Sequence, residues 1–294
     1  METIFDKNER LEEEPDLSVS WFEVFRQKRI ALFGVFLLLL AASTAILAPH
    51  LTQHNPQRLD ISMRLKGFTP SHLLGTDDFG RDVFSRIIFG TRVSLIVGGA
   101  VMIFTSLIGV ILGILAGYYK FLDNILMRIM DGLMAFPAMV MAISLMAFLG
   151  PSVSNVIVAL SFTYMPRTVQ IIRSVVLIGR EMAYVQAARA LGARDLRIAI
   201  KHILPNCIPP LIVQATFIFA YSILAEASLS FLGVGVPPEI PSWGNIISSG
   251  RLFIREAPWL TIFPGLAILL TCLSLNLVGD GLRDALDPRM REII

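Results

Sequence analysis

The sequence predicts an all-α polytopic membrane protein with six transmembrane helices and both termini in the cytoplasm. Three observations predict it. Apolar residues make up 54% of the chain, charged residues only 16%, and the mean hydropathy is +0.67, outside the ordinary soluble range. Uncharged runs recur that match the roughly 20 helical residues needed to cross a bilayer core of about 30 Å. These runs are continuously apolar rather than alternating, which excludes a membrane β-barrel.

The elements follow in order. Residues 1–29 read as an acidic cytoplasmic tail, with Glu12, Glu13 and Glu14 in a row, and not as a secretory signal, which needs a basic start and then a short apolar core. Span one covers residues 30–48. Residues 49–92 form a long extracytoplasmic loop ending in an interfacial elbow: Thr76, Asp77 and Asp78 suit a helix start, and Phe79, Val83, Phe84, Ile87 and Ile88 recur at helical spacing. Span two runs from Val93 to Gly117. The uncharged run from Gly132 to Met165 is too long for one crossing, and Gly150-Pro151-Ser152 divides it. That gives a third span near Ile125 to Leu149 and a fourth near Val153 to Val176, the latter containing Arg167 and Arg173. Span five, Ile208 to Leu229, carries Glu226, and span six runs from Trp259 to Gly279. Residues 93–279 are the membrane core, with a basic loop at 180–205, and residues 280–294 form a C-terminal cytoplasmic tail.

Orientation follows from lysine and arginine beside the spans, since short basic loops stay in the cytoplasm. Arg26, Lys28 and Arg29 precede span one, Lys120 and Arg128 flank the turn after span two, and Arg283, Arg289 and Arg291 follow span six. The loop after span four is the most basic of the short ones. Arginines in the 49–92 loop are offset by Asp60, Asp77, Asp78 and Asp82.

Several function classes are excluded or disfavoured by what the residues lack. None of the five lysines follows a glycine, so there is no P-loop and the chain is not expected to hydrolyse ATP. No nucleophile with a base or metal-ligand cluster stands out, so no catalytic residue is assigned. Cys207 and Cys272 fall in apolar spans and read as core residues. His50 and His54 have helical spacing, but Pro49 and Pro56 interrupt it, and no metal site is expected.

The informative stretch is "YVQAARALGARDLRIAIKHILPN", Tyr184 to Asn206. Its apolar residues, Val185, Ala188, Leu191, Leu196, Ile198, Ile200 and Ile203, suggest two short helices broken around Gly192, where glycine permits a turn and a close approach. On periodicity alone a surface helix in the lipid headgroups is equally plausible. Gln186-Ala187-Ala188, three residues, Gly192, nine residues, His202, Ile203, Leu204-Pro205 resembles the EAA loop of ABC importer permeases, whose pattern is matched in spacing. Gln186 replaces that family's usual glutamate and His202 its usual isoleucine. Further stretches resemble the peptide and nickel class of this family: "HLLGTDDFGRDVFSRIIFGTRVSL", "RIMDGLMAFP", "EASLSFLGVGVPPEIPSWG" and "PWLTIFPGLAILLTCLSLNLVGDGLRDALDPR". The six-span layout with its long first loop is closest to the second of the two permeases in dipeptide and oligopeptide importers.

The resemblance implies the type I ABC importer permease fold in a bacterial cytoplasmic membrane. It implies a coupling surface for a separate ATPase at Tyr184, Gln186, Ala187, Ala188, Ala190, Leu191, Gly192, Asp195, Leu204 and Pro205. The partners it implies are a second homologous permease, two ATPase subunits or domains carrying ATP and Mg, an extracytoplasmic solute-binding protein and membrane lipid; no nucleic acid is expected, and no cofactor in this chain. Glu226, with Ser230, is a candidate for the translocation path or gate, or an internal polar anchor. Trp243 and Pro238 are candidates for binding-protein docking or an interfacial anchor. The rival reading is an ion-gradient-driven secondary transporter, which favours mid-span carboxylates and inverted repeats. Within the importer reading, nickel and opines stand beside peptides as solutes.

Overall fold

The computed structural model describes residues 25–286. Glu12, Glu13 and Glu14 of the acidic tail and residues 287–294 of the C-terminal tail lie outside the described residues. All regular structure among the described residues is helical, apart from one isolated antiparallel bridge between Thr76 and Asp82. The order is α1 (Arg29–Leu51), a 3-10 turn at Ile61–Met63, α2 (Val83–Tyr118), α3 (Lys120–Met134), α4 (Ala138–Leu149) and α5 (Val153–Gly179). Two short helices follow, α6 (Ala183–Ala190) and α7 (Asp195–Ile198), then a π turn at Ala199–Ile203. The chain continues in α8 (Leu204–Phe231), α9 (Trp243–Gly250), a 3-10 turn at Arg251–Phe253 and α10 (Trp259–Leu286).

Among the described residues, four helical stretches are long and apolar enough to cross a membrane: α1, α2, α10 and the continuous run Asp195–Phe231. The expected third span is not one continuous helix: it is a broken pair, α3 and α4, bent by 93°. Pro137 causes the break: it cannot donate to the helical ladder, and its ring pushes Phe136 away from helical geometry. Counting the pair as one crossing gives five. At 27 residues, or about 40 Å, α5 is long enough for another, but its polar content, Arg167 and Arg173 included, keeps it outside the apolar set.

The bundle is organised around α2, which packs against α5 on one side and α8 on the other, while α10 lies between α1 and α8. The α2–α5 contact rests on a four-residue repeat. Gly109, Gly113 and Gly117 of α2 face Thr168, Ile172 and Val176 of α5, so closely that a Cβ on each glycine would come within 2.6–2.7 Å of the facing side chain. Lipid tails are as apolar as leucine and give no hydrophobic drive to helix pairing, so this close backbone approach is what holds the two helices. Arg173 of α5 ties α3 to the same unit through Asp123, at 2.5 and 2.7 Å. Asp131 accepts from Gln170 at 3.1 Å.

The two ends of the bundle differ. At one end the 52–82 loop, α9 and the start of α10 form a compact cap, where the Trp259 indole donates to the Thr76 carbonyl at 3.3 Å. At the other end α6 and α7 project, and Lys28 pairs with Asp284 at 3.1 Å, bringing the first and last described segments together.

The elbow is built differently from the expected helix start. The N-cap of α2 is Asp82, whose Oδ2 accepts from the Ser85 amide at 2.8 Å, so Phe79 precedes the helix. Thr76 is buried, hydrogen-bonded to the Met63 carbonyl and the Lys66 amide. Asp77 is a buried hub: Oδ1 accepts from the Phe79 and Arg81 amides, and Oδ2 from Arg81 Nε at 2.6 Å, with Arg86 Nε at 3.6 Å. Beside it, burial and the Asp77 charge push the Asp78 carboxyl above its usual range. Gly80 has φ +73°, and any Cβ there would collide with the Asp60 carbonyl, so this turn requires glycine.

Candidate functional site

The projecting hairpin begins where α5 ends. Arg180 donates to the Gly117 carbonyl at 3.1 Å, locking the C-terminus of α5 to that of α2. The helix α6 then ends at Ala190 with Leu191 as its C-cap, and Gly192, at φ +80°, reverses the chain into α7. One face of the hairpin is core. Val185, Ile198 and Ile203 are fully buried with Ile172, Val176 and Cys207, so the hairpin is packed onto the ends of α5 and α8. Polar ties add to this: Tyr118 of α2 donates to Asp195 at 2.7 Å, the Arg189 guanidinium stacks over the Tyr118 ring, and Asn206 donates to the Tyr184 hydroxyl at 2.7 Å.

The opposite face is bare. Leu191 is 89% exposed and Leu196 70%, with Gln186, Ala187, Ala190 and Gly192 exposed around them. Ala188 and Leu204 are half-buried, while Pro205 and Asp195 are exposed. An apolar tip rimmed by Arg189, Arg194 and Arg197, on an otherwise well-packed hairpin, has the make-up of a protein-docking surface. Gln186 makes only a local bond, to the Glu181 carbonyl at 3.1 Å.

Glu226 lies apart, near the capped end of α8, and is 0% exposed. Its Oε1 accepts from Ser230 at 2.8 Å and its Oε2 from Ser94 at 3.1 Å, which joins α8 to α2. Ser230 in turn accepts from the Val236 amide at 3.1 Å and borders a cavity with Arg81, Arg86 and Asn245. This geometry is that of an internal polar anchor.

Docking through Trp243 is corrected. The residue is 1% exposed, its indole donating to the Ile87 carbonyl at 3.2 Å, because α9 folds inward against α2, α8 and α10. Pro238 and its neighbour Glu239 are exposed in the adjoining loop. Asn245 holds that loop in shape, donating to the carbonyls of Val236, Pro237 and Ile240.

Histidine pairing also differs from the His50–His54 spacing. His54 stacks on His72 with ring centroids 4.7 Å apart, and with Asp82 their ligand-type atoms lie within 4.8 Å of one another. His54 Nε2 is bonded to the Ser71 carbonyl, His72 Nδ1 to Asp82, and Asp82 caps α2. These bonds pin the loop to the start of α2.

In the sequence Arg167 is marked only as one of two charges inside span four. In the structure it lines two adjoining cavities of about 640 and 430 Å³ between α5 and α8, both also lined by Gln214 and Phe217. The signal was a charge near the middle of a membrane-length helix, which persists only where it faces water or a partner.

Comparison with known proteins gives a consistent result. Residues 109–292 match the family model described as binding-protein-dependent transport system inner membrane component, and residues 19–69 match the N-terminal TM domain of oligopeptide transport permease C. A Brucella suis relative named for a peptide transport system permease is 49% identical over 265 residues, covering 90% of each chain. The dipeptide transport system permease protein of Alkalihalophilus pseudofirmus is 42% identical, covering 92% of this chain and 90% of its own. The glutathione transport system permease protein of Pectobacterium atrosepticum is 41% identical with the same coverage. Among solved structures, a chain of the inward-facing MetNI methionine ABC transporter aligns with a TM-score of 0.52 and 18% identity, over 69% of this chain and 96% of that one; it supports the fold alone.

Proposed function

Because the chain belongs to the family of binding-protein-dependent transport system inner membrane components, and is a multi-pass protein of the inner membrane, we propose that it is a non-catalytic membrane subunit of an ATP-driven peptide importer. The solute class rests on the relatives named for peptide, dipeptide and glutathione transport. A single observation carries the mechanism: a hairpin whose inner face is core and whose outer face is a bare apolar tip. Such a part transmits force, since movement of the tip must move α5 and α8 with it.

In this reading the hairpin lies in the cytoplasm and seats in a separate ATPase. Two ATPase subunits or domains hold the ATP and Mg. Their closure on nucleotide biases one of two packings of the bundle, and their reopening releases it. A second, homologous permease supplies the other half of the path. An extracytoplasmic binding protein delivers the peptide at the capped end, where Pro238 and Glu239 stand exposed.

Purification of the tagged full chain from its native inner membrane in mild detergent tests this. Recovery of a second multispanning subunit and a P-loop ATPase, with ATP-dependent peptide uptake after reconstitution, is the expected outcome. A chain recovered alone that drives uptake on an ion gradient would replace the importer with a secondary transporter.

A further inference from the structure

Two arginines sit on α5, and they are treated differently. Arg173, nearer the hairpin, is held by Asp123 through two hydrogen bonds. Arg167, near the middle of the helix, has no ion-pair partner among the described residues and opens onto both cavities. A guanidinium at that depth is costly in hydrocarbon, so an open cavity at its side is the condition for keeping it. No carboxylate lines either cavity, while Gln214, Tyr164 and Tyr221 bring hydrogen-bonding groups to the same space as Arg167. Because the two cavities share Arg167, Gln214 and Phe217, they form one way, largely apolar in its lining, which passes Asn206 and Arg283 toward the hairpin end. Against that apolar wall the charged groups are Arg167 and Arg283, both cationic, and the amides of Gln214 and Asn206 and the phenols of Tyr164 and Tyr221 are the other polar groups.

We propose that this way is the chain's half of the translocation path, and that Arg167 is its recognition residue, pairing at mid-depth with the C-terminal carboxylate of the passing peptide. Guanidinium suits the task because its planar fork meets a carboxylate with two parallel N–H donors and stays charged at any physiological pH. Gln214, on the facing helix α8, supplies amide donors beside it. The two helices that flank the site are the two that carry the hairpin, so ATPase-driven movement carries Arg167 and Gln214 together against the second permease's half of the path. A carboxylate held by them is thereby enclosed in one packing and released in the other. This assignment rests on the peptide reading above, and it replaces Glu226 as the residue that meets solute.

The test is uptake of radiolabelled dialanine by the full importer with its binding protein, comparing Arg167→Lys, Arg167→Gln and Arg167→Glu, with co-purification of the other subunits as the check on assembly. Losing a charge-assisted pair lowers uptake about ten- to a hundredfold in Arg167→Gln. Reversing the charge in Arg167→Glu lowers it further, and Arg167→Lys, which keeps the charge but not the fork, loses less than Arg167→Gln, while all three assemble. Uptake at the wild-type level in Arg167→Gln overturns the proposal. So does equal loss in all three variants or loss of assembly, either of which makes Arg167 a structural residue. A wild-type complex that assembles with its ATPase yet takes up a solute lacking a carboxylate, and no dialanine, removes the peptide reading itself.

Discussion

At Glu226 the surroundings of one side chain favour the anchor among the roles that its sequence position leaves open. A carboxylate in an apolar helix reads either as a path residue or as an anchor. The structure gives it two serine donors from two helices and no exposed surface. Glu226→Ala leaves the buried Ser94 hydroxyl and one bond of Ser230 without their partner, at about 1–3 kcal/mol for each group so orphaned. Glu226→Gln can keep its oxygen toward Ser230 and turn its amide toward Ser94, whose hydroxyl then accepts, so it is expected to cost under about 1.5 kcal/mol. Thermal unfolding of the purified complex should therefore rank wild type, Gln and Ala in that order, with Ala clearly separated; equal stability of Ala and wild type would remove the anchor. Sequence alone located Glu226 and Ser230, and Ser230 lies four residues on, one turn along the same helix. It did not locate Ser94, because a contact across 132 residues leaves no periodic trace. Arg167 shows the converse. Its charge was visible, but its isolation became evident only once the structure gave Arg173 to Asp123.

Elements were legible to the extent that they follow local rules. Apolar runs, the Gly150-Pro151-Ser152 turn and the Gly192 break all show in the sequence and recur in the helices, because length, hydropathy and positive φ are properties of a short stretch. The break at Pro137 was equally local, yet hydropathy carried the reading of span three straight through it. Fusion of the elbow into α2 was hidden for a different reason: Asp82 rather than Thr76 caps the helix, and that choice depends on Trp259, Met63 and Lys66 closing around Thr76. The α2–α5 pairing lay in plain view as Gly109, Gly113 and Gly117, but a glycine stripe names a packing face and not its partner. Its energetics can be checked at Gly113, where an added Cβ would stand 2.7 Å from the Ile172 Cβ, closer than two such carbons approach. Gly113→Ala is expected to destabilise the complex by about 1–3 kcal/mol through forced separation of the helices, and Gly113→Leu by more. A thermal midpoint in Gly113→Leu matching wild type would show that α2 and α5 are held by something other than close approach.

For the whole molecule, the question is how a signal at the hairpin end reaches the path and the cap. Its two faces separate binding from transmission. Exposed Leu191 touches nothing that holds the bundle together, whereas Val185 is fully buried in the cluster that joins the hairpin to α5 and α8. Within the proposed importer, Leu191→Asp places a charge on the docking tip and is expected to release the ATPase from the purified complex while the two permeases stay paired. Val185→Ala acts on the other link. It leaves the tip intact but opens a void under the hairpin, costing about 1–3 kcal/mol of local packing. The ATPase should remain bound and hydrolyse ATP, yet the hairpin can now shift without carrying α5 and α8, so peptide imported per ATP falls severalfold. Measuring uptake and hydrolysis together on reconstituted complex tells the two apart: Leu191→Asp lowers both, whereas Val185→Ala lowers only their ratio. If Val185→Ala kept the wild-type ratio, the rigid connection through the buried face would not be the transmission, and the coupling would have to run through the polar ties of Tyr118 with Asp195 and Arg189 instead.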